Sequence, residues 1–362
     1  MDQSDPITRV LHEGSQAGVF PGAVLLVRHQ GTITIHQAVG RTSSFLESPA
    51  VQLDTIYDLA SLTKPLATVS SILLLGQEGR LSFSQTLDAC LPETAGSLLG
   101  QISIKDVLSH QSGLPAWRPF YQLFAPDSPS EPGSRQQRMQ VVLERILKEL
   151  IDQAPASISV YSDLGYMLLG FVVERLTGQS LADFSRERIF QPLEANNLAF
   201  GTHDVHGKAL GRIAPTEEDP WRGRLLQGEV HDENAAALGG IAGHAGLFGT
   251  AQAVGQITKA WLDGYFGKPS IFRQEFVRQF VSAQPGTSWA LGWDTPSHLS
   301  SSGQWFSLQS FGHLGFTGTS IWIDPVRELE VIFLSNRVHP TRDNQAIKTF
   351  RPQLHDTIIQ GL

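Results

Sequence analysis

A serine and a lysine stand three residues apart in the segment ASLTKPLA, residues 60–67. Residues i and i+3 of a helix share one face, so Ser61 and Lys64 can touch if both are helical. Pro65 indicates a helix start, because proline is tolerated in a first turn but not in a helix interior. A serine hydroxyl becomes a nucleophile when a neighbouring base takes its proton. The spacing therefore allows a nucleophile with its base, provided that burial lowers the pKa of Lys64 enough to leave an uncharged amine.

The spacing alone is a weak indication. In a chain with seven lysines and this serine content, a chance Ser-x-x-Lys is expected about half of the time. Tyr161 and Asp163 open the later segment YSDLGYMLLG, and His313 stands in FGHLGFTGTS. A tyrosine beside the lysine could relay protons between nucleophile and leaving group. Taken singly, Tyr161 could equally be a core aromatic, Asp163 a helix cap and His313 an ordinary strand residue.

The elements that must position these residues are helices in the middle of the chain and strands towards both ends. Apolar spacing and capping residues predict helices over residues 5–18, from Ser61 to about Gly76, and over 102–115, 135–151, 161–177 and 342–360. Alternation and turn residues predict strands over the hairpin 23–40 and over 288–294, 305–315, 320–325 and 328–336. Residues 125–134 have the composition of a surface loop.

This order of elements predicts one sheet built from both ends of the chain. We expect residues 1–94 and 266–362 to form an α/β sheet domain and residues 95–265 to form an inserted, mostly helical domain. The cleft between two such domains is the expected place for the site.

The three motifs together resemble the serine β-lactamase and penicillin-binding-protein superfamily. ASLTK, YSD with GYMLLG, and HLGFTGTSIWIDP occur in that order. They look most like the class C β-lactamase-related branch, which includes esterases, D-amino-acid peptidases and muropeptide amidases. FPGAVLLV, TIYDLASLTK, ISIKDVLSHQSGLP and LGGIAGHAGLFGTA also match, so the similarity covers nearly the whole chain. The resemblance implies a β-lactamase/transpeptidase-like fold, with an antiparallel sheet flanked by helices.

The resemblance also implies roles for individual residues. Ser61 would be the acylated nucleophile, Lys64 its base and Tyr161 a partner in the proton transfers. The backbone N–H groups of Ser61 and Phe316 would form the oxyanion hole. His313 would stand among the catalytic groups, in the place of the lysine of the family's Lys-Thr-Gly strand.

Two departures from the family pattern bear on the substrate. Asp163 occupies the place of the asparagine in the family's Tyr-x-Asn triplet. It is an anion that can only accept hydrogen bonds. The resemblance implies that Asp163 and Gly315 contact the substrate. His313 is mostly neutral at pH 7, unlike a lysine. Leu314 lacks the hydroxyl that would orient a β-lactam carboxylate. These departures count against efficient β-lactamase activity.

Two further segments resemble a sub-branch associated with muropeptide cleavage, GEVHDENAAALGG and FLSNRVHPTRDN. Asn336 and Arg337 are candidate substrate-binding residues within the second segment. Arg337 and Arg342 could pair with a substrate carboxylate. The alternative is that both arginines are solvated surface residues.

Composition excludes several other classes of protein. The net charge of −8, without a basic stripe, argues against a nucleic-acid partner. No apolar run approaches a membrane span, and the first residues lack a signal-peptide pattern, so we expect a cytoplasmic protein that does not bind membranes. Cys90, the single cysteine, is expected to be a buried hydrophobe. The oligomeric state stays open.

The sequence therefore predicts a metal-independent serine hydrolase that needs no cofactor and cleaves an ester or amide of a small or peptidoglycan-derived substrate. Alternatives of the same mechanism are a D-amino-acid peptidase or carboxypeptidase and a weak β-lactamase. A non-catalytic ligand-binding protein of the same fold is an alternative of another class. Metal hydrolysis through His203 and His206 is a fourth, although HDVH lacks the glutamate of a His-Glu-x-x-His site.

Overall fold

The computed structural model describes residues 5–125, 134–149, 159–201, 211–298 and 300–362. The strands are β1 (Gly22–His29), β2 (Thr32–Gly40), β3 (Tyr57–Asp58), β4 (Leu198–Phe200), β5 (Glu218–Asp219), β6 (Arg224–Leu225), β7 (Leu247–Gly249), β8 (Phe311–Leu314), β9 (Ser320–Asp324) and β10 (Leu329–Ser335).

The α-helices are α1 (Pro6–Gln16), α2 (Ser70–Gln77), α3 (Leu87–Cys90), α4 (Ile104–Leu108), α5 (Ser134–Ile146), α6 (Asp163–Thr177), α7 (Leu181–Ser185), α8 (Glu233–Ala237), α9 (Ala251–Phe266), α10 (Gln274–Val281) and α11 (Ile347–Gln360). Short 3₁₀ turns cover Ala60–Leu62, Pro92–Thr94, Leu99–Gln101 and Phe120–Leu123, and π-helical turns cover Lys64–Val69 and Arg186–Phe190.

Both ends of the chain contribute to the largest sheet of the described residues. Its strand order is β2-β1-β10-β9-β8, and every neighbouring pair is antiparallel. Strand β1 pairs with β10 from Ala23 opposite Ser335 to His29 opposite Leu329. This architecture confirms the predicted α/β fold, with an antiparallel sheet and flanking helices.

Helices cover both faces of this sheet, which explains why β1 is apolar along most of its length. Successive side chains of a strand point to opposite faces. Leu25 and Val27 pack in the core that includes residues of α1 and α11, whereas Val24 and Leu26 pack in the core that includes residues of α9. A strand buried on both faces has a continuous apolar run rather than an alternating one.

Two of the predicted strands are wrong in extent. Trp289 and Asp294 form an isolated bridge with each other, because the chain between them turns back at Gly292, whose φ is 90°. Asp294 forms a second isolated bridge, with Gly312. In the segment 305–315, only Phe311–Leu314 is a strand. Alternating apolar residues predicted strands over both segments, but most of these residues lie in turns, bends and irregular segments. Most of the predicted loop 125–134 lies outside the described residues.

The predicted division into two domains, with boundaries after residues 94 and 265, stays a prediction. Helix α9 lies at the end of the predicted helical domain and is tied to the sheet by buried polar groups. Arg28 Nη1 donates to the carbonyl of Gly255 and to Glu330 Oε2, each at 2.8 Å. The hydroxyl of Thr258 donates to the same glutamate at 2.5 Å. In the described part of the chain, no helix combines the length and apolar composition needed to cross a bilayer.

A glycine-rich loop packs directly against the backbone of α6. A Cβ built on Gly243 would lie 2.0 Å from the carbonyl oxygen of Tyr166, and one built on Gly170 would lie 3.0 Å from the backbone nitrogen of Gly243. The carbonyl of Gly243 also accepts the hydroxyl of Thr68 at 2.7 Å. Only glycine allows this approach, which fixes the position of the next residue, His244.

Replacing Gly243 by alanine should therefore destabilise the fold by about 2 kcal/mol, because the methyl group meets backbone that cannot rotate away. Denaturant unfolding measures this change. Gly211→Ala is the matched control, since a Cβ there meets no atom of the described residues within 4 Å. Its stability should change by less than about 0.5 kcal/mol. Equal stabilities for the two variants would contradict the packing argument.

Candidate active site

The backbone around Ser61 changes helix type within a few residues. The 3₁₀ turn Ala60–Leu62 leads into the π-helical turn Lys64–Val69 and then into α2. Pro65 lies in the first turn of the π-helical segment, where its missing N–H breaks no helical hydrogen bond. This agrees with the helix start predicted from the proline. π-Helical turns are uncommon and often occur at functional sites.

Ala60, immediately before the serine, holds a left-handed conformation with φ of 47°. Such a conformation is uncommon for a residue other than glycine. The buried carboxylate of Asp58 holds it: Oδ1 accepts the N–H of Ala60 at 2.8 Å, and Oδ2 accepts the N–H of His231 at 2.6 Å. Strained turns of this kind persist where the surroundings over-determine them.

Lys64 lies beside Ser61, as their spacing predicted. Its Nζ is 2.8 Å from Ser61 Oγ, 2.7 Å from Asp163 Oδ1 and 3.2 Å from the carbonyl oxygen of His244. The lysine side chain is fully buried, whereas that of Asp163 is 18% exposed. The three acceptors use the three donors of an ammonium group.

The charge of Lys64 differs from the sequence-based expectation. Burial disfavours the ammonium, but the Asp163 carboxylate and Tyr161 outweigh it, so the pKa of Lys64 is raised. The prediction that burial leaves Lys64 uncharged was therefore wrong for the empty cleft. The reason is the carboxylate of Asp163, which favours the ammonium form at hydrogen-bonding distance.

Tyr161 faces the same group. Lys64 Nζ lies 4.7 Å from the centre of the Tyr161 ring. Burial raises the pKa of Tyr161, and its interactions with Lys64 and Ser61 only partly offset this, so the side chain is a phenol in the resting site.

His110 positions the turn that carries Tyr161. Its ring lies 4.5 Å from that of Tyr161, its Nδ1 accepts the N–H of Ser162 at 3.1 Å, and its carbonyl accepts the N–H of Val160. Burial, and then the charge of Lys64, lower the pKa of His110 well below its usual value. A neutral His110 is therefore part of the wall behind Tyr161.

His313 lies on β8 in the same aromatic surroundings, 6.0 Å from Tyr161 and 5.6 Å from Trp289 between ring centres. Its Nδ1 donates to the carbonyl of Leu314 at 2.8 Å, which leaves Nε2 as an acceptor. Nε2 has no partner within the described residues. Burial, and then Lys64, lower the pKa of His313 to about 3. His313 is therefore neutral at pH 7 and cannot replace the charge of a lysine.

The turn after β8 is tied to the segment before Ser61. The hydroxyl of Thr317 donates to the carbonyl of Asp58 at 2.7 Å, and that of Thr319 donates to the carbonyl of Leu59 at 3.1 Å. A Cβ on Gly315 would lie 2.6 Å from the carbonyl oxygen of Leu59. Within the described residues, the N–H groups of Ser61 and Phe316 have no acceptor. These two donors are thus free to bind an oxyanion.

The residues of the arginine-containing segment after β10 differ in their burial and in their partners. Asn336, expected to bind substrate, is buried away from the cleft and donates to the carbonyls of Thr42 and Pro215. Arg342 is paired with the carboxylates of Glu217 and Glu233.

Arg337 is buried in the cleft wall and lies over the ring of Phe316 at 4.5 Å. The interpretation as a solvated surface residue is therefore wrong for Arg337, whereas the side chain of Arg342 is 33% exposed and held by two carboxylates.

A cleft of about 760 Å³ brings most of the predicted site residues together. Its lining includes Ser61, Tyr161, Asp163, His313, Gly315, Phe316 and Arg337. Lys64 lies behind this surface, and Asn336 is not part of it. Among the described residues, no group of three or more His, Cys, Asp or Glu side chains could hold a metal ion. His203 and His206 lie outside the described residues.

Comparisons with known proteins show which family the chain belongs to. Residues 7–355 match the Beta-lactamase family. The chain belongs to that family. It is 34% identical to the N-acetylmuramyl-L-alanine amidase of Bacillus subtilis (strain 168) over 354 residues, covering 89% of this chain and 78% of that protein.

Two solved structures share the fold. EstCE1, a hydrolase with promiscuous acyltransferase activity, has a TM-score of 0.75 at 20% identity, with 97% of each chain covered. The octameric penicillin-binding protein homologue from Pyrococcus abyssi has a TM-score of 0.75 at 19% identity, covering 100% of this chain and 78% of that one. With the family match and the amidase relative, the chain is a serine hydrolase of the β-lactamase fold.

Sequence reasoning missed several groups of this Beta-lactamase-family site. Asp294, whose pKa burial raises to about 6, and Trp289 line the cleft from a turn that was predicted as a strand. Arg351 reaches the cleft from α11, which carried no motif. His110 lies in ISIKDVLSHQSGLP, a stretch that matched the family. That match was the available signal that its histidine has a role in the site.

Replacing Asp163 by asparagine, the residue more usual in the family triplet, should lower the pKa of Lys64. The change removes the carboxylate that favours the ammonium and leaves the burial that disfavours it. NMR titration of ¹³C-labelled lysine side chains measures this pKa, with the Lys64 resonance assigned through Lys64→Arg.

Asp263→Asn is the matched control for this titration, because Asp263 pairs with Lys259 at the surface. It should leave the pKa of Lys64 unchanged. An unaltered pKa of Lys64 in Asp163→Asn would show that the carboxylate does not set the charge of the lysine.

Proposed function

We propose that this chain forms an acyl-enzyme on Ser61 and cleaves an ester or amide bond in a small or peptidoglycan-derived substrate. The observation that carries the proposal is the contact of Ser61 Oγ with Lys64 Nζ at 2.8 Å, in a cleft that also presents Tyr161. Nucleophile and base are both side chains, so the mechanism requires no metal or cofactor.

The base must first lose a proton, since an ammonium cannot accept one. Asp163 Oδ1 lies 2.7 Å from Lys64 Nζ and can take that proton, which converts a buried ion pair into a neutral pair. Lys64 then accepts the proton of Ser61 as Oγ attacks the substrate carbonyl. The N–H groups of Ser61 and Phe316 stabilise the oxyanion of the tetrahedral intermediate.

Collapse of this intermediate needs a proton for the leaving group. The Tyr161 phenol supplies it and is reprotonated from Lys64, which receives the serine proton in the first step. The leaving amine or alcohol departs and the acyl group remains on Ser61. Water then attacks the ester by the same route in reverse, with the proton returning to Ser61.

The charges on β8 and the activity named for one relative support the proposed substrate class. The neutral His313 and the apolar Leu314 leave β8 without the cation and hydroxyl that would hold a β-lactam carboxylate. This favours an ester or an amide such as the N-acetylmuramyl-L-alanine bond named for the Bacillus subtilis relative.

Hydrolysis of N-acetylmuramyl-L-alanine, measured as released L-alanine, should exceed hydrolysis of a β-lactam.

Ser61→Ala should reduce turnover at least about a thousandfold, since it removes the proposed nucleophile. The variant should still unfold cooperatively, because Asp163 and the carbonyl of His244 still accept hydrogen bonds from Lys64 Nζ. Intact-mass spectrometry after a fluorophosphonate or p-nitrophenyl ester should show one adduct on the native chain and none on this variant.

Ser84→Ala, at an exposed serine, is the control and should keep both turnover and labelling. An adduct on another residue, or full activity in Ser61→Ala, would refute the proposal.

A further inference from the structure

Two arginines in the cleft wall are almost completely buried, Arg337 at 4% and Arg351 at 5% exposure. Neither forms an ion pair with an acid in the part of the chain that the structure describes. Their neighbour Arg342 contrasts with them, because it contacts Glu217 and Glu233. Buried charges are normally paired, since an unpaired one loses its hydration without compensation.

The hydrogen bonds of these arginines leave donors unused. Arg337 donates from Nε to the carbonyl of Phe316 at 2.9 Å and from Nη1 to two further carbonyls, while Nη2 has no acceptor among the described residues. Arg351 donates from Nη2 to the carbonyls of Gly315 and Thr319. Its Nε is buried without a partner, and Nη1 has no acceptor in the same described part. A buried donor left unsatisfied is costly.

The pKa values of both arginines also indicate that positive charge is in excess here. Burial, and then the nearby Arg337, lower the pKa of Arg351 to about 9, so the two cations repel each other. Burial also lowers the pKa of Arg337, which Glu217 only partly offsets. The Glu217 carboxylate is already occupied by His231 and Arg342. Of the three arginines, only Arg342 therefore has carboxylate partners, Glu217 and Glu233.

Each arginine donates to the turn expected to bind the oxyanion. Arg337 donates to the carbonyl of Phe316 and Arg351 to that of Gly315, and the N–H of Phe316 is one of the two free donors near Ser61. The Phe316 ring is 48% exposed and lines the cleft beside Arg337. A group bound by the two arginines would thus lie next to the reacting carbonyl of a substrate.

We propose that Arg337 and Arg351 form an anion-binding subsite for a carboxylate carried by the substrate, at the Phe316 end of the cleft. The planar carboxylate matches the fork of donors on a guanidinium group. This inference rests on the proposed function and deepens it: the preferred substrate is an ester or amide that bears a free carboxylate near the scissile bond. The cleft obtains this charge from the loop after β10 and from α11 rather than from β8.

A purely structural role for the arginines gives a different expectation. If they only brace the turn at Gly315 and Phe316, losing one would impair charged and uncharged substrates equally. If they bind a carboxylate, the loss should fall on the charged substrate. Matched pairs of substrates therefore separate the two roles.

Two ester pairs cover both sides of the scissile bond. The first is mono-p-nitrophenyl glutarate with the p-nitrophenyl ester of glutaramic acid, and the second is 4-acetoxybenzoate with 4-acetoxybenzamide. For at least one pair, native protein should favour the carboxylate in kcat/KM, and Arg337→Gln should reduce that preference about 10- to 100-fold, the range expected for a charged hydrogen bond. Arg337→Lys should restore part of it, because it keeps the charge and loses the fork.

Arg278→Gln is the matched control for the preference. Arg278 also donates Nε to an aromatic residue's carbonyl, that of Tyr265 at 3.2 Å, and lies over its ring at 5.2 Å, but it does not line the cleft. It should keep the native preference. Equal losses on charged and uncharged esters in Arg337→Gln, or no preference in native protein for either pair, would overturn the subsite.

A binding measurement separates failure of the subsite from failure of the proposed function. Calorimetric titration of the Ser61→Ala protein with 4-acetamidobenzoate and 4-acetamidobenzamide needs no turnover. The benzoate should bind at least about tenfold more tightly, and Arg337→Gln added to this background should abolish the difference. If neither the esters nor N-acetylmuramyl-L-alanine are hydrolysed while this difference holds, the proposed function fails and the subsite stands. Equal affinities overturn the subsite whatever the turnover.

Arg351→Gln tests the second arginine. Arg351 holds two carbonyls of the turn, so its variant is compared only if its unfolding transition matches that of native protein. The Arg337 variants decide the proposal by themselves. In a folded Arg351→Gln protein, the preference for 4-acetamidobenzoate should fall as in Arg337→Gln. A retained preference in both variants would overturn the assignment.

Discussion

A fully buried ammonium group needs partners, and the site is organised around that requirement. Lys64 Nζ contacts Ser61, Asp163 and the carbonyl of His244, which come from three separate parts of the chain. Without these acceptors the charge would be buried and unpaired, which is strongly destabilising. Packing of α6 and of the loop at Gly243 against the turn at Ser61 is therefore a condition for the folded state. The same contacts determine the chemistry of the lysine, so stability and reactivity share one set of interactions.

A second set of contacts fixes the N–H groups proposed to bind the oxyanion relative to Ser61. Asp58 holds Ala60 in its left-handed conformation, and the carbonyl of Asp58 accepts the hydroxyl of Thr317. Residues more than 250 positions apart thus form one hydrogen-bonded unit, which joins the segment before Ser61 to the turn that carries Phe316. The sheet makes this possible, because strands from both ends of the chain lie side by side in it. An oxyanion site built from rigid backbone needs no rearrangement during the reaction.

Local patterns predicted the parts of this site that depend on local geometry. The contact between Ser61 and Lys64 follows from their i, i+3 spacing, and the sheet from both termini follows from the order of elements. The charge of Lys64 could not be predicted in that way, since it depends on how closely Asp163, 99 residues away, approaches it. Asn336 looked like a binding residue within a motif, but its amide is used by carbonyls of distant loops. Arg351 belongs to no motif, and its role depends on where α11 meets the turn after β8.

Asp163 gives the proposed mechanism a link between substrate binding and formation of the base. Lys64 is fully buried, whereas Asp163 retains contact with water at 18% exposure. A substrate that fills the cleft removes this water, and desolvation favours the neutral forms of both an acid and an amine. Transfer of the proton from Lys64 to Asp163 then becomes easier, and the lone pair of the amine is released beside the hydroxyl of Ser61. An asparagine at this position could not accept that proton, so its base would depend on burial alone. In the proposed mechanism, the carboxylate thus keeps the lysine protonated in the empty cleft and takes its proton when substrate fills the cleft.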